Sequence, residues 1–369
     1  MEIGNLRLLV MDNCKELGEL INKNINLVRN SDFDYRIPVE ISVFSNSESK
    51  ARIKDSVRGK DTFIITDIGN YEQEYRYFGK KNRKSYNDNF MELLETIDAC
   101  GNTTYRTWII EPLLWGSRQH KKEARESLNA ALGLRIMDNL GVKGILSYDV
   151  HDPTVRVALH NSSFDNIYPT NDMIHAFLDK EKIDFNNLLI IHPDEGAAKR
   201  AKYFGEVLDA PVGGFRKVRD TSKVVNGTCK IKEHEYTGTT PLKGKNLIVA
   251  DDIIASGKSM IDVAKKAKED GANSVYLFAT YGLFSDGTKS INEFKKAYKK
   301  GYINKIYITN LTYIPQRISN QPWIEVVDCS LNVAKIIDAL NRDDSIEPLM
   351  NGKDDVKEKV MIKKLNTTY

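Results

Sequence analysis

Short runs of apolar, β-branched residues recur along the chain, each closed by polar residues and followed by a helical pattern. The clearest lie at 61–67, 107–112, 144–149, 188–193, 246–250, 274–279 and 306–309. Apolar runs this short, bounded by turns, read as buried strands. Their alternation with longer amphipathic stretches at 89–100, 126–140, 195–208 and 260–270 predicts an α/β protein with mostly parallel sheets flanked by helices. A polar stretch from His160 to Ser163, followed by a helix opening at Pro169-Thr170-Asn171-Asp172, puts a boundary near 160–170. The expected organisation is an N-terminal domain over 1–165 and a C-terminal domain over 166–325. Residues 326–369 are a C-terminal segment able to pack back on the N-terminal domain, with an end free to move, and 354–364 reads as a short helix or a mobile tail.

Length agrees with two domains, since 369 residues exceed what one small core organises. A content of 41% hydrophobic and 28% charged residues belongs to a soluble globular protein. No apolar run approaches the roughly 18–20 residues that span a bilayer, and the acidic start Met1-Glu2-Ile3 is not a signal pattern. Cys14, Cys100, Cys229 and Cys329 form no Cys-x-x-Cys pair and read as reduced thiols of a cytoplasmic protein. With 54 basic residues against 51 acidic, the chain carries no electrostatic footprint for nucleic acid. The local run Lys80-Lys81-Asn82-Arg83-Lys84 is read as a solvated loop.

The chemistry concentrates at Leu247-Ile248-Val249-Ala250-Asp251-Asp252-Ile253-Ile254-Ala255-Ser256-Gly257-Lys258-Ser259-Met260. An apolar strand runs into two acids, then a small Gly-containing loop, then a helix, which places the loop where open α/β sheets bind ligands. Backbone N–H groups from Ser256 to Ser259 at a helix N-terminus form a cradle for one phosphate. Asp251 and Asp252 repel a phosphate and suit the vicinal hydroxyls of a sugar, or a metal. A sugar phosphate satisfies both halves. Gly257-Lys258-Ser259 imitates the end of a Walker A loop, but Asp252 stands where that motif needs its first glycine.

Other strand ends carry polar residues unsuited to a core. Asp149-Val150-His151-Asp152 and His192-Pro193-Asp194-Glu195-Gly196 supply an imidazole and carboxylates, a mixture that holds a hard divalent ion beside phosphate oxygens. Asp194 reads equally well as a helix N-cap, and His151 as a satisfied loop histidine. Arg118 can bind a phosphate bidentately and Gln119 can read a base or ribose edge. Lys217 and Arg219, two residues apart, could stabilise a transferring phosphoryl group or simply be solvated.

The segment Asp251 to Ser259 resembles the phosphoribosyl-pyrophosphate (PRPP) loop of phosphoribosyltransferases and ribose-phosphate pyrophosphokinases, with Ser256 and Ser259 at the hydroxyl positions, Gly257 at the glycine and Ala255 in place of an Asp. From about residue 35 to 330 the chain resembles the ribose-phosphate pyrophosphokinase (PRPP synthetase) family as a divergent branch. Phe44-Ser45-Asn46-Ser47-Glu48, Asn87-Asp88-Asn89-Phe90-Met91-Glu92-Leu93-Leu94, Arg118-Gln119, Asp149-Val150-His151, residues 193–200, Lys217-Val218-Arg219 and the PRPP loop follow in register. The resemblance implies two phosphoribosyltransferase-like (Rossmann-like) domains and transfer of a diphosphoryl group from ATP to the 1-hydroxyl of ribose 5-phosphate, giving PRPP and AMP. It implies that Phe44, Asn46 and Glu48 contact adenine from a neighbouring subunit of a homo-oligomer, and that Arg118, Gln119 and His151 hold ATP. His151 and Asp194 would bind Mg2+, with Lys217 and Arg219 catalytic. Asp251 and Asp252 would meet the ribose hydroxyls, and the loop from Ala255 through Ser256, Gly257, Lys258 and Ser259 the 5-phosphate.

Four departures accompany the likeness: Ala255 for Asp, Asn46 for Asp, His120 for the Asp after Arg118-Gln119, and extra length over 71–86. Ala255 favours a non-catalytic regulatory paralogue as the alternative, and a phosphoribosyltransferase shares the loop but needs neither Arg118-Gln119 nor two equal halves.

Overall fold

The computed structural model describes the backbone of residues 5–225, 228–350 and 352–367, and the side chains of these except 217–225, 228–233, 366 and 367. The chain forms two compact units. One comprises Met1–Pro169, Asn310–Tyr313 and Asp328–Asn351; the other comprises Thr170–Thr309, Ile314–Val327 and Gly352–Tyr369.

In the first unit the order is β1 (Asn5–Val10), α1 (Lys15–Arg29), β2 (Val39–Val43), β3 (Ser49–Ile53), β4 (Lys60–Ile65), β5 (Glu74–Tyr77), β6 (Lys80–Arg83), α2 (Tyr86–Cys100), β7 (Arg106–Ile110), α3 (Asn129–Asn139), β8 (Gly144–Tyr148) and β9 (Ser163–Ile167). Five strands make a parallel sheet in the order β1-β4-β7-β8-β9. Leu9, Ile64, Ile109 and Ile145 pack with Leu93 of α2 and Leu134 of α3, all fully buried, which explains the unbroken apolar runs. Helix α2 starts at a capping box: Ser85 Oγ accepts from the Asp88 N–H and the Asp88 carboxylate accepts from the Ser85 N–H. Two antiparallel hairpins, β2–β3 and β5–β6, stand outside this sheet.

The second unit runs α4 (Thr170–Lys180), β10 (Leu188–His192), α5 (Ala198–Leu208), β11 (Val212–Val225), β12 (Thr228–Tyr236), β13 (Asn246–Ile254), α6 (Lys258–Glu269), β14 (Ser274–Gly282), α7 (Thr288–Lys299), β15 (Lys305–Thr309), α8 (Gln316–Ser319) and β16 (Ile324–Val327). Its sheet has the order β12-β11-β10-β13-β14-β15-β16, parallel except for the β11–β12 pair. An aromatic cluster of Phe177, Phe204, Phe278 and Tyr307 fills the core beneath α4 and α5.

After β16 the chain adds α9 (Ser330–Asn341) and α10 (Glu347–Met350) to the first unit and α11 (Lys353–Thr367) to the second. Arg29 of α1 donates to Asp338 (2.6 Å) and Asn341 (2.7 Å), fixing α9. Val356 and Val360 of α11 are buried, and Lys359 and Lys364 pair with Asp179 (2.7 Å) and Asp209 (2.8 Å). Among the described residues no helix is long and apolar enough to cross a membrane.

The architecture is the expected one, two mainly parallel sheets flanked by helices. Boundaries differ where tertiary pairing extends an element. Strand β13 continues past Ala250 to Ile254 because β14 runs alongside it, pairing Asp251 with Ala279 and Ile254 with Gly282. The basic run is a strand rather than a loop: Lys80–Arg83 forms β6 with Lys80, Lys81 and Arg83 exposed as a solvated run would be, and only Lys84 is buried, against Glu92 at 2.7 Å. Cys14, Cys100 and Cys329 are buried free thiols, whereas the Cys229 side chain lies outside the described residues.

Candidate active site

The acid pair and the loop occupy the C-terminal edge of the second sheet. Asp251 and Asp252 lie on β13, still within its ladder with β14. Gly257 then caps α6 with φ +82° in the left-handed region. A Cβ on Gly257 would lie 2.1 Å from Cε2 of Phe294, a fully buried side chain of α7. Buried Ser290, also on α7, donates its hydroxyl to the Ser256 carbonyl at 3.0 Å, and Ser285 N–H donates to the Ala255 carbonyl at 2.9 Å. Carbonyls of the loop are thus engaged from behind. The helix begins at Lys258, so its first N–H groups have no intrahelical acceptor, an end that suits an anion.

Asp194 follows β10, the strand beside β13, and accepts the Gly196 N–H at 3.1 Å as an N-cap. Its carbonyl is bonded to His192 Nδ1 at 3.0 Å. Arg200 of α5 approaches Asp251 at 3.9 Å. Burial raises the Asp251 carboxyl well above the ordinary range, neighbouring Asp252 and then Asp194 add to the rise, and Arg200 opposes it. Carboxylates this crowded are relieved by hydroxyl donors or a cation. Lys217 and Arg219 belong to β11, where Lys217 pairs with His234 and the register shifts between Val218 and Arg219; their side chains lie outside the described residues.

In the first unit, Arg118, Gln119 and His120 follow β7, and His151 follows the adjacent strand β8. Gly116, at φ +71°, lets this loop press on α3, because a Cβ there would meet the Ala130 nitrogen at 2.9 Å. Gln119 N–H donates to the Gly116 carbonyl at 2.7 Å. Arg118 and Gln119 are exposed, and the rings of His120 and His151 lie 4.9 Å apart at 57°. Phe44, Asn46 and Glu48 stand on the exposed turn between β2 and β3, closed by the Phe44 N–H donating to the Glu48 carbonyl at 2.8 Å. The extra hairpin β5–β6 braces that turn, its Phe78 N–H donating to the Ser45 carbonyl at 3.0 Å. Asn89, within the Asn87–Leu94 block, donates to the carbonyls of Ile68 and Asn70 and so ties α2 to the loop after β4.

Residues 6–141 match the model described as the N-terminal domain of ribose phosphate pyrophosphokinase, and residues 213–351 the phosphoribosyl synthetase-associated domain. The chain belongs to the ribose-phosphate pyrophosphokinase family. Membership is distant. It is 26% identical over 324 residues to the ribose-phosphate pyrophosphokinase of Ureaplasma parvum, covering 87% of each chain. It is 25% identical over 355 residues to ribose-phosphate pyrophosphokinase 2 of Schizosaccharomyces pombe, covering 95% of this chain and 99% of the relative. The fold is that of the phosphoribosylpyrophosphate synthetase of Mycobacterium smegmatis, with a TM-score of 0.74 at 22% identity over 92% of this chain and 99% of the other.

Within this pyrophosphokinase fold, three features escape the motif. Ser290 and Phe294 support the loop from more than thirty residues away, so no local spacing announces them. Arg200 lies in a quoted block, but its approach to Asp251 depends on how α5 crosses β13. Glu111, at the end of β7, is fully buried, accepts the Trp115 N–H at 2.5 Å through Oε1, and finds no hydrogen-bond partner for Oε2 among the described residues. Burial pushes its carboxyl up from 4.5 to about 8.

Because the folded form holds the Glu111 proton more tightly than the unfolded chain, the native state binds more protons between pH 4.5 and about 8. Stability therefore falls as pH rises through that window. Asp67, pushed by burial from 3.8 to about 7, acts in the same direction. Glu111→Gln should flatten the decline, read as urea midpoints measured from about pH 5 to about pH 8.5; an unchanged slope would deny Glu111 this role.

Proposed function

We propose that this chain is an active ribose-phosphate diphosphokinase, transferring the β,γ-diphosphoryl group of ATP to the 1-hydroxyl of ribose 5-phosphate. The observation that carries the reading is the acid pair of β13 running into a left-handed glycine that opens α6. It supplies acceptors for vicinal hydroxyls next to donors for one phosphate. In this reading Asp251 and Asp252 orient the ribose, and the segment from Ala255 through Ser256, Gly257, Lys258 and Ser259 binds the 5-phosphate. Arg118, Gln119 and His151 bind ATP, and Phe44, Asn46 and Glu48 reach adenine in a neighbouring copy of a homo-oligomer.

The step forms a bond between the ribose 1-oxygen and the β-phosphorus and breaks the bond from that phosphorus to the α,β-bridging oxygen. AMP leaves with that oxygen, and the hydroxyl proton passes to solvent. Lys217 and Arg219 spread the charge that develops on the transferring group, and the two bound substrates set the line of attack. His151 and Asp194 would each take part in binding Mg2+, with water and phosphate oxygens completing the shell of the ion that each meets. Bound Mg2+ would neutralise the phosphate oxygens. Supplying ATP labelled at its β-phosphorus tests the reaction: the label should appear in PRPP, and label in ADP would refute diphosphoryl transfer.

Ala255 favours a second reading, a non-catalytic regulatory paralogue. Restoring a carboxylate by Ala255→Asp adds about 1–2 kcal/mol of charge-assisted hydrogen bonding to the ribose. The KM for ribose 5-phosphate should then fall roughly five- to thirtyfold with that for ATP little changed. Absence of turnover in both forms, with ATP still bound, would favour the paralogue.

A further inference from the structure

The pairing of His120 with His151 has no counterpart in the resemblance, where an Asp follows Arg118-Gln119. The two histidines come from the loops after neighbouring strands β7 and β8. Their ring centres are 4.9 Å apart. With metal–nitrogen bonds of roughly 2.0–2.1 Å and angles of about 90–110°, two imidazoles on one ion hold their ring centres about 4.5–5.2 Å apart. His120 Nδ1 is buried and meets no hydrogen-bond partner among the described residues.

We propose that His120 and His151 form a two-imidazole cation subsite in which His120 shifts metal choice from Mg2+ toward a borderline divalent ion such as Co2+. Imidazole suits such ions, whereas carboxylate and water suit Mg2+. No third His, Cys, Asp or Glu joins them among the described residues, so nucleotide phosphate oxygens and water complete the shell. The inference rests on the reading of His151 as the ligand beside ATP.

The test measures Co2+ and Mg2+ affinities of the full chain, with and without ATP carrying a methylene bridge between its α- and β-phosphorus, for wild type, His120→Asp and His120→Gln. The ratio of Co2+ to Mg2+ affinity should fall roughly 10–100-fold in both variants. Proton NMR of the Co2+-loaded wild type should display two exchangeable, hyperfine-shifted imidazole N–H signals, and each variant one. One signal or none in wild type under both conditions, or an affinity ratio unmoved by both substitutions, overturns the subsite. Turnover with Mg2+, measured separately, reports on the diphosphokinase reading alone.

Discussion

Lys217→Ala is expected to lower PRPP formation roughly a hundred- to thousand-fold while leaving thermal stability and ATP affinity nearly unchanged. Diphosphoryl transfer asks little covalent chemistry of a protein; most of the barrier is removed by charges placed around the transferring group. A lysine acting there contributes in the transition state more than in the ground state, so its loss appears in kcat rather than in KM. Lys217 lies on the long β11–β12 pair, and the thermal midpoint separates a folding defect from a catalytic one. A rise in KM with kcat intact would make Lys217 a simple binding contact.

Gly257→Ala should be the most damaging change to the loop. The new Cβ must enter 2.1 Å from Cε2 and 2.3 Å from Cζ of Phe294 at a residue whose φ is +82°. Phe294 cannot retreat, because it is fully buried, edge-on to Phe284 and stacked on Trp323. Left-handed backbone costs a non-glycine residue about 1–2 kcal/mol, and overpacking adds about 1–3 kcal/mol. The combined loss, about 2–5 kcal/mol, should appear in the thermal midpoint. Ribose 5-phosphate should bind roughly ten- to a hundred-fold more weakly as the N–H groups lose aim. Gly141→Ala is the control: φ there is +80°, and a Cβ meets nothing within 4 Å. Equal effects of the two substitutions would show that Phe294 does not hold the loop.

Much of this was legible in the chain because strands buried on both faces leave apolar runs, as at Ile64-Ile65 and Ile190-Ile191, and the helices between them carry their own periodicity. The acid pair stood out for the converse reason: charge at the end of such a run has no place in a core. Pairing partners were not legible. Nothing in Asp251-Asp252-Ile253-Ile254 says that the strand continues, because β14 imposes it. Lys80–Arg83 is solvated as its charge suggests, but its pairing as β6 and the burial of Lys84 against Glu92 come from tertiary placement. The two-histidine contact was hidden likewise, since His120 and His151 meet only through the adjacency of β7 and β8.

The central claim is tested most directly by quantifying AMP and PRPP together when the purified chain is given Mg2+, ATP and ribose 5-phosphate. The two products should form in equal amounts, each dependent on ribose 5-phosphate. ATP that binds yet yields neither product, across a range of phosphate and nucleotide concentrations, would contradict it and leave the non-catalytic paralogue standing.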